Sequence, residues 1–253
     1  YNVNYEGSNG KKIANDSMSD EKFFGFLYDA YVSMFMALKE GAPIYVAHAD
    51  TEGLNFRKAF KEAGFKLSGC LVWVKNTLVL GRSDYQWRHE PILYGWKPGA
   101  AHTWFGGRAN TKVLEASQSL PLIRHDDGRY QIDLGDTHLI ISGKDLQVEE
   151  VCSSIIRAEK PKRSSEHPTM KPVGLILGML NNSTRRGGVI LDLFGGSGST
   201  LIACEKSGRF ARLMELDPGY SDVIVKRWQE FTGKQAVHES GQSFDALASK
   251  RKK

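Results

Sequence analysis

Twelve consecutive residues constrain this chain more than any others. The run Val189-Ile190-Leu191-Asp192 passes through Leu193-Phe194-Gly195-Gly196-Ser197-Gly198 into a helix-forming stretch that opens at Ser199-Thr200. A buried strand that ends in a glycine-rich turn lets the backbone approach a ligand closely, because glycine has no Cβ and accepts left-handed dihedrals. Direct entry into a helix then presents the free N–H groups of its first turn. The pattern predicts a nucleotide-like ligand here. Glu215 closes the next strand, near the spacing at which a carboxylate grips ribose hydroxyls in a doubly wound fold. Two other readings of the turn stay open: a tight strand-to-helix connection with no ligand, and an NAD site. Against NAD, the third glycine of a G-x-G-x-x-G pattern would fall at Leu201.

The position of the turn is as informative as its composition. Too few residues follow Gly198 to build the remaining strands of a six- or seven-stranded sheet, so the N-terminal half must supply them. The N-terminal half alternates accordingly. Residues 19–40 carry apolar side chains at Phe23, Phe26, Leu27, Ala30, Met34 and Leu38, near helical spacing, with Ser19 as N-cap and Gly41 as stop. Pro43-Ile44-Tyr45-Val46-Ala47 reads as a buried strand, residues 52–62 as a helix ended by Gly64, and Leu71-Val72-Trp73-Val74 and Pro91-Ile92-Leu93-Tyr94-Gly95-Trp96 as further strands. After residue 167 the alternation resumes: helix 173–182, strand 189–192, helix 199–206, strand 211–215 and helix 218–231. Short apolar strands alternating with helices predict an α/β fold with a mostly parallel sheet covered on both faces.

Between residues 97 and 166 glycine, charge and isolated aromatics replace long helices. Tyr130-Gln131-Ile132-Asp133 and His138-Leu139-Ile140-Ile141, joined through Gly135-Asp136, predict a hairpin. We read residues 97–166 as an inserted region and residues 1–96 with 167–253 as the core. The hydrophobic content of 41% is enough for such a core. The three cysteines, Cys70, Cys152 and Cys204, fit no ligand or disulfide framework, so neither a metal nor a disulfide is expected. No membrane-length apolar run and no signal-peptide pattern is present, which leads us to expect a cytoplasmic protein. The net charge of +5 is compatible with a nucleic-acid partner.

Three motifs in this order resemble the β-class amino-methyltransferases of DNA modification systems, which occur in bacteria and phages. Tyr1-Asn2-Val3-Asn4-Tyr5-Glu6-Gly7 resembles the continuation of that family's catalytic Asp-Pro-Pro-Tyr. His167-Pro168-Thr169-Met170-Lys171-Pro172 is similar to the element before the cofactor strand, and Asp192 to Thr200 resembles the S-adenosyl-L-methionine (AdoMet) turn. The resemblance covers nearly the whole chain. It implies a Rossmann-like AdoMet-dependent methyltransferase fold in permuted order, catalytic half first. It implies that Phe194, Gly195, Gly196 and Gly198 wrap AdoMet, with Ser199 and Thr200 near its methionine moiety and Glu215 on the ribose. His167, Thr169 and Lys171 would lie beside the pocket, while Asp192 would either touch the cofactor or fasten the turn.

The resemblance further implies a site-specific methyltransferase that flips a base out of duplex DNA and methylates its exocyclic amino group. Tyr1 would stack on that base. The family uses Asp-Pro-Pro-Tyr mostly for adenine N6 and Ser-Pro-Pro-Tyr mostly for cytosine N4. The residues before the tyrosine are not in the sequence, so adenine is an expectation from frequency. The start without methionine suggests an upstream segment of the same gene product, and a homodimer is compatible with the reading. Arg82, Arg88, Arg108, Lys162 and Arg163 are the candidate DNA contacts. They stand among Lys97, Lys112, Arg124, Arg129 and Lys160 and the aromatics Tyr85, Trp87, Trp104 and Phe105. A nucleotide-dependent oxidoreductase and a non-catalytic DNA-binding remnant are the alternatives from other classes.

Overall fold

The computed structural model describes residues 18–79, 84, 87–107, 112–115, 122–124, 126–127, 129–133, 138–142 and 170–251. Helix α1 (Asp20–Ala37) leads to strand β1 (Pro43–Ala47), a short 3-10 turn and helix α2 (Gly53–Glu62). Strands β2 (Lys66–Val79) and β3 (Trp87–Trp96) follow, then β4 (Val113–Glu115) and three short strands, β5 (Leu122–Arg124), β6 (Tyr130–Asp133) and β7 (His138–Ile141). The last part runs α3 (Val173–Ser183), β8 (Val189–Asp192), α4 (Ser199–Ser207), β9 (Phe210–Leu213), α5 (Pro218–Thr232) and α6 (Phe244–Arg251). The expected helices and strands are present to within a few residues. β2 takes in, to within one residue, the stretch expected from Phe65 to Val74 around the apolar run Leu71–Val74 and continues to Val79.

The first sheet has the order β1-β3-β2-β4. β1 and β2 are both antiparallel to β3, and β4 is parallel to β2, so β3 alone is reversed among strands that run one way. The cause is chain length. Only residues 80–86 separate β2 from β3, and a parallel return needs a crossover of about a dozen residues or more. β8 and β9 have α4 between them and pair in parallel. The α/β architecture is as expected, but the strand pairing is mixed rather than mostly parallel: β2–β4 and β8–β9 are parallel, while β3, lying between β1 and β2, is antiparallel to both.

Side chains alternate across the first sheet with period two. Ile44 and Leu93 pack with Leu27 and Tyr31 of α1 and Ala59 and Phe60 of α2. Their neighbours Tyr45, Ala47 and Ile92 face the other way and pack with Leu71, Trp73 and Leu175 of α3. α3 carries no charged residue, and the reason is that it is covered on two sides. Leu175 packs on the first sheet, while Ile176 and Leu180 pack on Ala203 and Cys204 of α4 with Ile190 and Ala211 of β8 and β9. One helix thus ties the two sheets together. Leu175 is fully buried, and a leucine so placed stabilises the fold by about 1.5–3 kcal/mol.

At the C-terminal end of α3 the guanidinium of Arg209 takes the place of a cap. It donates to Thr184 O at 2.6 Å, Leu180 O at 3.2 Å and Thr184 Oγ1 at 2.6 Å. Thr184 O, at the cap, takes its donor from Arg209, while Leu180 O is also met by Thr184 N and Thr184 Oγ1, both at 2.8 Å. Burial pushes the guanidinium down from its ordinary value, and its bonds run to carbonyl and hydroxyl oxygens.

Residues 97–107, just after β3, make contacts with the core. Lys97 Nζ donates to Phe35 O and Leu38 O, both at 2.8 Å, closing the end of α1. Thr103 N donates to Gly41 O, Phe105 N donates to Asn182 O, and His102 stacks on Trp96 with centroids 4.0 Å apart. Residues 97–107 therefore lie on the core, and β4 extends the core sheet. The hairpin was expected, and β6 pairs with β7 as foretold, with β5 added at the other edge.

Candidate functional site

Strand β8 ends at Asp192, whose carboxylate fastens the glycine turn. One oxygen accepts Phe194 N at 3.0 Å and the other accepts Thr200 Oγ1 at 2.6 Å. Of the two roles open to Asp192, turn fastening is the one seen. Gly196 and Gly198 have φ of 52° and 78°, in the left-handed region where side chains are disfavoured. Gly195 is required for a different reason: a Cβ there would come within 2.9 Å of Ile224 Cδ1 on α5. Helix α4 begins at Ser199 without a side-chain cap, whereas α5 is capped by Asp217, which accepts from Gly219 N and Tyr220 N.

Glu215 stands across the turn. Its two carboxylate oxygens accept Gly196 N at 2.7 Å and Asp217 N at 3.0 Å, so one side chain clasps the glycine turn to the turn before α5. Each oxygen retains a second lone pair, which suits a further acceptor role toward hydroxyl groups. Phe194 is 56% exposed and its ring meets Phe26 of α1 with centroids 5.9 Å apart. An apolar ring, an uncapped helix start and a carboxylate on adjacent strand ends fit a nucleoside-containing ligand.

The third wall is Lys171, just before α3. Its carbonyl accepts Ser199 Oγ at 2.8 Å, which seats it against the first residue of α4. Its ammonium lies 3.9 Å from Glu90 Oε2 on β3. Lys171 therefore sits where the two sheets meet. Nearby, at the end of β1, His48 is buried, donates through Nδ1 to Ala49 O at 2.8 Å and stacks on Phe56. Desolvation lowers its pKa below the usual range.

The structure thus gathers Lys171, Asp192, Phe194, Gly195, Gly196, Gly198, Ser199, Thr200 and Glu215 at one place. Tyr1, His167, Thr169, Arg82, Arg108, Lys162 and Arg163 lie outside the described residues. Arg88 is exposed and donates to Lys75 O at 3.1 Å, and Arg129 is paired with Asp127 at 2.6 Å. Lys97 and Trp104 are engaged in the core, as described above. Arg227 of α5 was not foreseen. It donates to Ser197 O at 2.9 Å and Ser199 Oγ at 3.2 Å, bracing the turn from behind. The signal was present in its spacing, because Arg227 follows Ile224 by three residues and shares its helix face.

With this geometry in view, comparison with known proteins decides the family. The profile described as DNA methylase, of the N6/N4 methyltransferase type, matches residues 1–226. The chain belongs to the N6/N4 DNA methylase family. Among its relatives, the type II methyltransferase M2.DpnII of Streptococcus pneumoniae is 22% identical over 191 residues, covering 75% of this chain and 61% of that protein. The type II methyltransferase M.HindIII of Haemophilus influenzae is 24% identical over 209 residues, covering 76% of this chain and 65% of that protein. The chain therefore spans less than two thirds of the length of these curated relatives.

Solved structures of DNA methylases share the fold. The M1.HpyAVI–SAM complex superposes with a TM-score of 0.56 at 18% identity, covering 83% of this chain and 85% of that one. The cytosine-N4-specific PvuII DNA methyltransferase gives a TM-score of 0.58 at 13% identity, covering 88% and 78%. Membership of the family removes the nucleotide-dependent oxidoreductase from consideration. Among the described residues no helix of this methylase is long and apolar enough to cross a membrane.

Proposed function

We propose that this methylase transfers a methyl group from AdoMet to the exocyclic amino group of a base in duplex DNA, with adenine N6 as the target. The observation that carries the reading is the clasp of Glu215 on Gly196, with Lys171 seated on Ser199, in a chain matched by the family over residues 1–226. In this reading Phe194, Gly195, Gly196 and Gly198 enclose AdoMet, Ser199 and Thr200 lie by its methionine part, Glu215 takes the ribose hydroxyls, and His167, Thr169 and Lys171 complete the pocket. AdoMet supplies an electrophilic methyl on its sulfonium. The protein's work is positional, because an exocyclic amine is a poor nucleophile whose lone pair is shared with the ring. Holding that amine in line accounts for the chemistry.

Tyr1 stacks on the flipped base. The hairpin β5–β6–β7 and the basic residues Arg82, Arg88, Arg108, Lys162 and Arg163 grip the flanking duplex, which repays the few kcal/mol of flipping. The permuted order, catalytic half before cofactor half, and a cytoplasmic location belong to the same proposal. Cytosine N4 is the second reading, favoured by the likeness to the PvuII enzyme. Incubating the full-length protein with duplex DNA and methyl-labelled AdoMet, then resolving the nucleosides by mass spectrometry, tests both. N6-methyladenine is expected. N4-methylcytosine would select the second reading, and no label in DNA despite AdoMet binding would leave the non-catalytic remnant.

A further inference from the structure

Among the described residues, Glu90 is the one acidic residue in contact with Lys171. It lies on β3, opposite Trp73 of β2, and two lysines converge on it from different elements. Lys75 Nζ meets Oε1 at 2.7 Å, with only 13% of its side chain exposed. Lys171 Nζ stands 3.9 Å from Oε2 and is 38% exposed. The first contact is a hydrogen-bonded ion pair. The second is attractive but too long for a hydrogen bond, so the Lys171 ammonium is steered without being consumed. Its backbone is fixed independently through the bond from Ser199 Oγ, and Ser199 in turn is held by Arg227.

Two ammonium groups against one carboxylate leave the cluster with one net positive charge, beside the uncapped start of α4, where the helix dipole also favours an anion. Of the charged groups of AdoMet, two are cationic and one, the methionine carboxylate, is anionic. We infer that Glu90 is a positioning residue that holds the Lys171 ammonium at the rim of the glycine turn, where it receives the carboxylate of AdoMet. Glu90 thereby couples the reversed strand of the first sheet to cofactor occupancy. The inference rests on the AdoMet reading given above.

Calorimetry on the full-length protein tests it with two ligands, AdoMet and 5′-methylthioadenosine, which keeps the adenosine and sulfur but lacks the carboxylate. Lys171→Met should weaken AdoMet binding about tenfold, the size of one charge-assisted contact. Glu90→Gln should do the same. Because Glu90→Gln alone leaves the half-buried Lys75 without its counter-ion, the double variant Lys75→Met/Glu90→Gln serves as the folded comparison. Binding of methylthioadenosine should stay at the wild-type value in each. Wild-type AdoMet affinity in the double variant would overturn the inference, as would an equal loss for both ligands, which marks a collapsed pocket. A loss confined to duplex DNA affinity would also overturn it and assign Lys171 to a phosphate. Failure of the wild-type protein to bind AdoMet would instead end the cofactor assignment itself.

Discussion

Replacing Glu215 by glutamine separates two roles that one carboxylate can hold. The side chain accepts Gly196 N at 2.7 Å and Asp217 N at 3.0 Å through different oxygens. Hydrogen bonds to a charged acceptor are worth about 1.5–3 kcal/mol each, and neutral ones about 0.5–1.5. Glutamine keeps one oxygen and turns an NH2 toward the other N–H, so one bond weakens and the other becomes a meeting of donors. After allowance for water reaching this half-buried group, the expected loss for the unliganded protein is about 1.5 kcal/mol. At about 2–4 °C per kcal/mol for a chain of this size, Tm should fall by roughly 3–6 °C in a calorimetric or dye-based scan. If the same carboxylate also takes ribose hydroxyls, the AdoMet Kd should rise by about a hundredfold, equivalent to about 2.7 kcal/mol. Glu215→Asp retains the charge but is one methylene shorter and cannot span both N–H groups, so it should melt low as well. A Glu215→Gln protein that melts with wild type would refute the clasp. Unchanged AdoMet affinity would refute the ribose role.

Further outcomes follow from the same geometry. Gly196→Val places a β-branched side chain at a φ of 52° and should abolish AdoMet binding while leaving duplex DNA affinity largely intact; equal AdoMet affinity by calorimetry would show the pocket to be elsewhere. Arg209→Met should cost about 1–3 kcal/mol in urea unfolding, because it removes the donor from the half-buried Thr184 carbonyl, and a loss below about 0.5 kcal/mol would count against its capping role. The pKa of His48 is lowered by burial, so between its folded and ordinary values the unfolded chain binds more protons. Stability from this residue is present above the ordinary histidine range and is lost as pH falls through it. Unfolding midpoints measured from pH 8 to pH 5 should decline less in His48→Gln than in wild type, and parallel profiles would exclude the effect.

Much of the site was legible because its chemistry is local. Left-handed glycines, an apolar strand before them and a helix after them are properties of consecutive residues, and Gly195-Gly196-Ser197-Gly198 could be assigned to a ligand turn without coordinates. Glu215 was found by spacing alone, since the helix and strand that separate it from the turn have predictable lengths. Arg227 and Glu90 were not found. An arginine on a helix and an acid on a strand read as surface residues until packing shows what each touches. The bonds from Thr103 to Gly41 and from Phe105 to Asn182 were likewise beyond reach of the sequence, because residues 97–107 lack periodicity.

Sequence by itself determined the elements and the glycine turn of this chain, because hydrophobic period, turn residues and glycine dihedrals act over a few neighbours. Tertiary structure alone decided that α3 joins two sheets and that Lys171 meets both Ser199 and Glu90. Those facts depend on contacts between residues tens of positions apart, and no local pattern encodes which distant partner a side chain will meet.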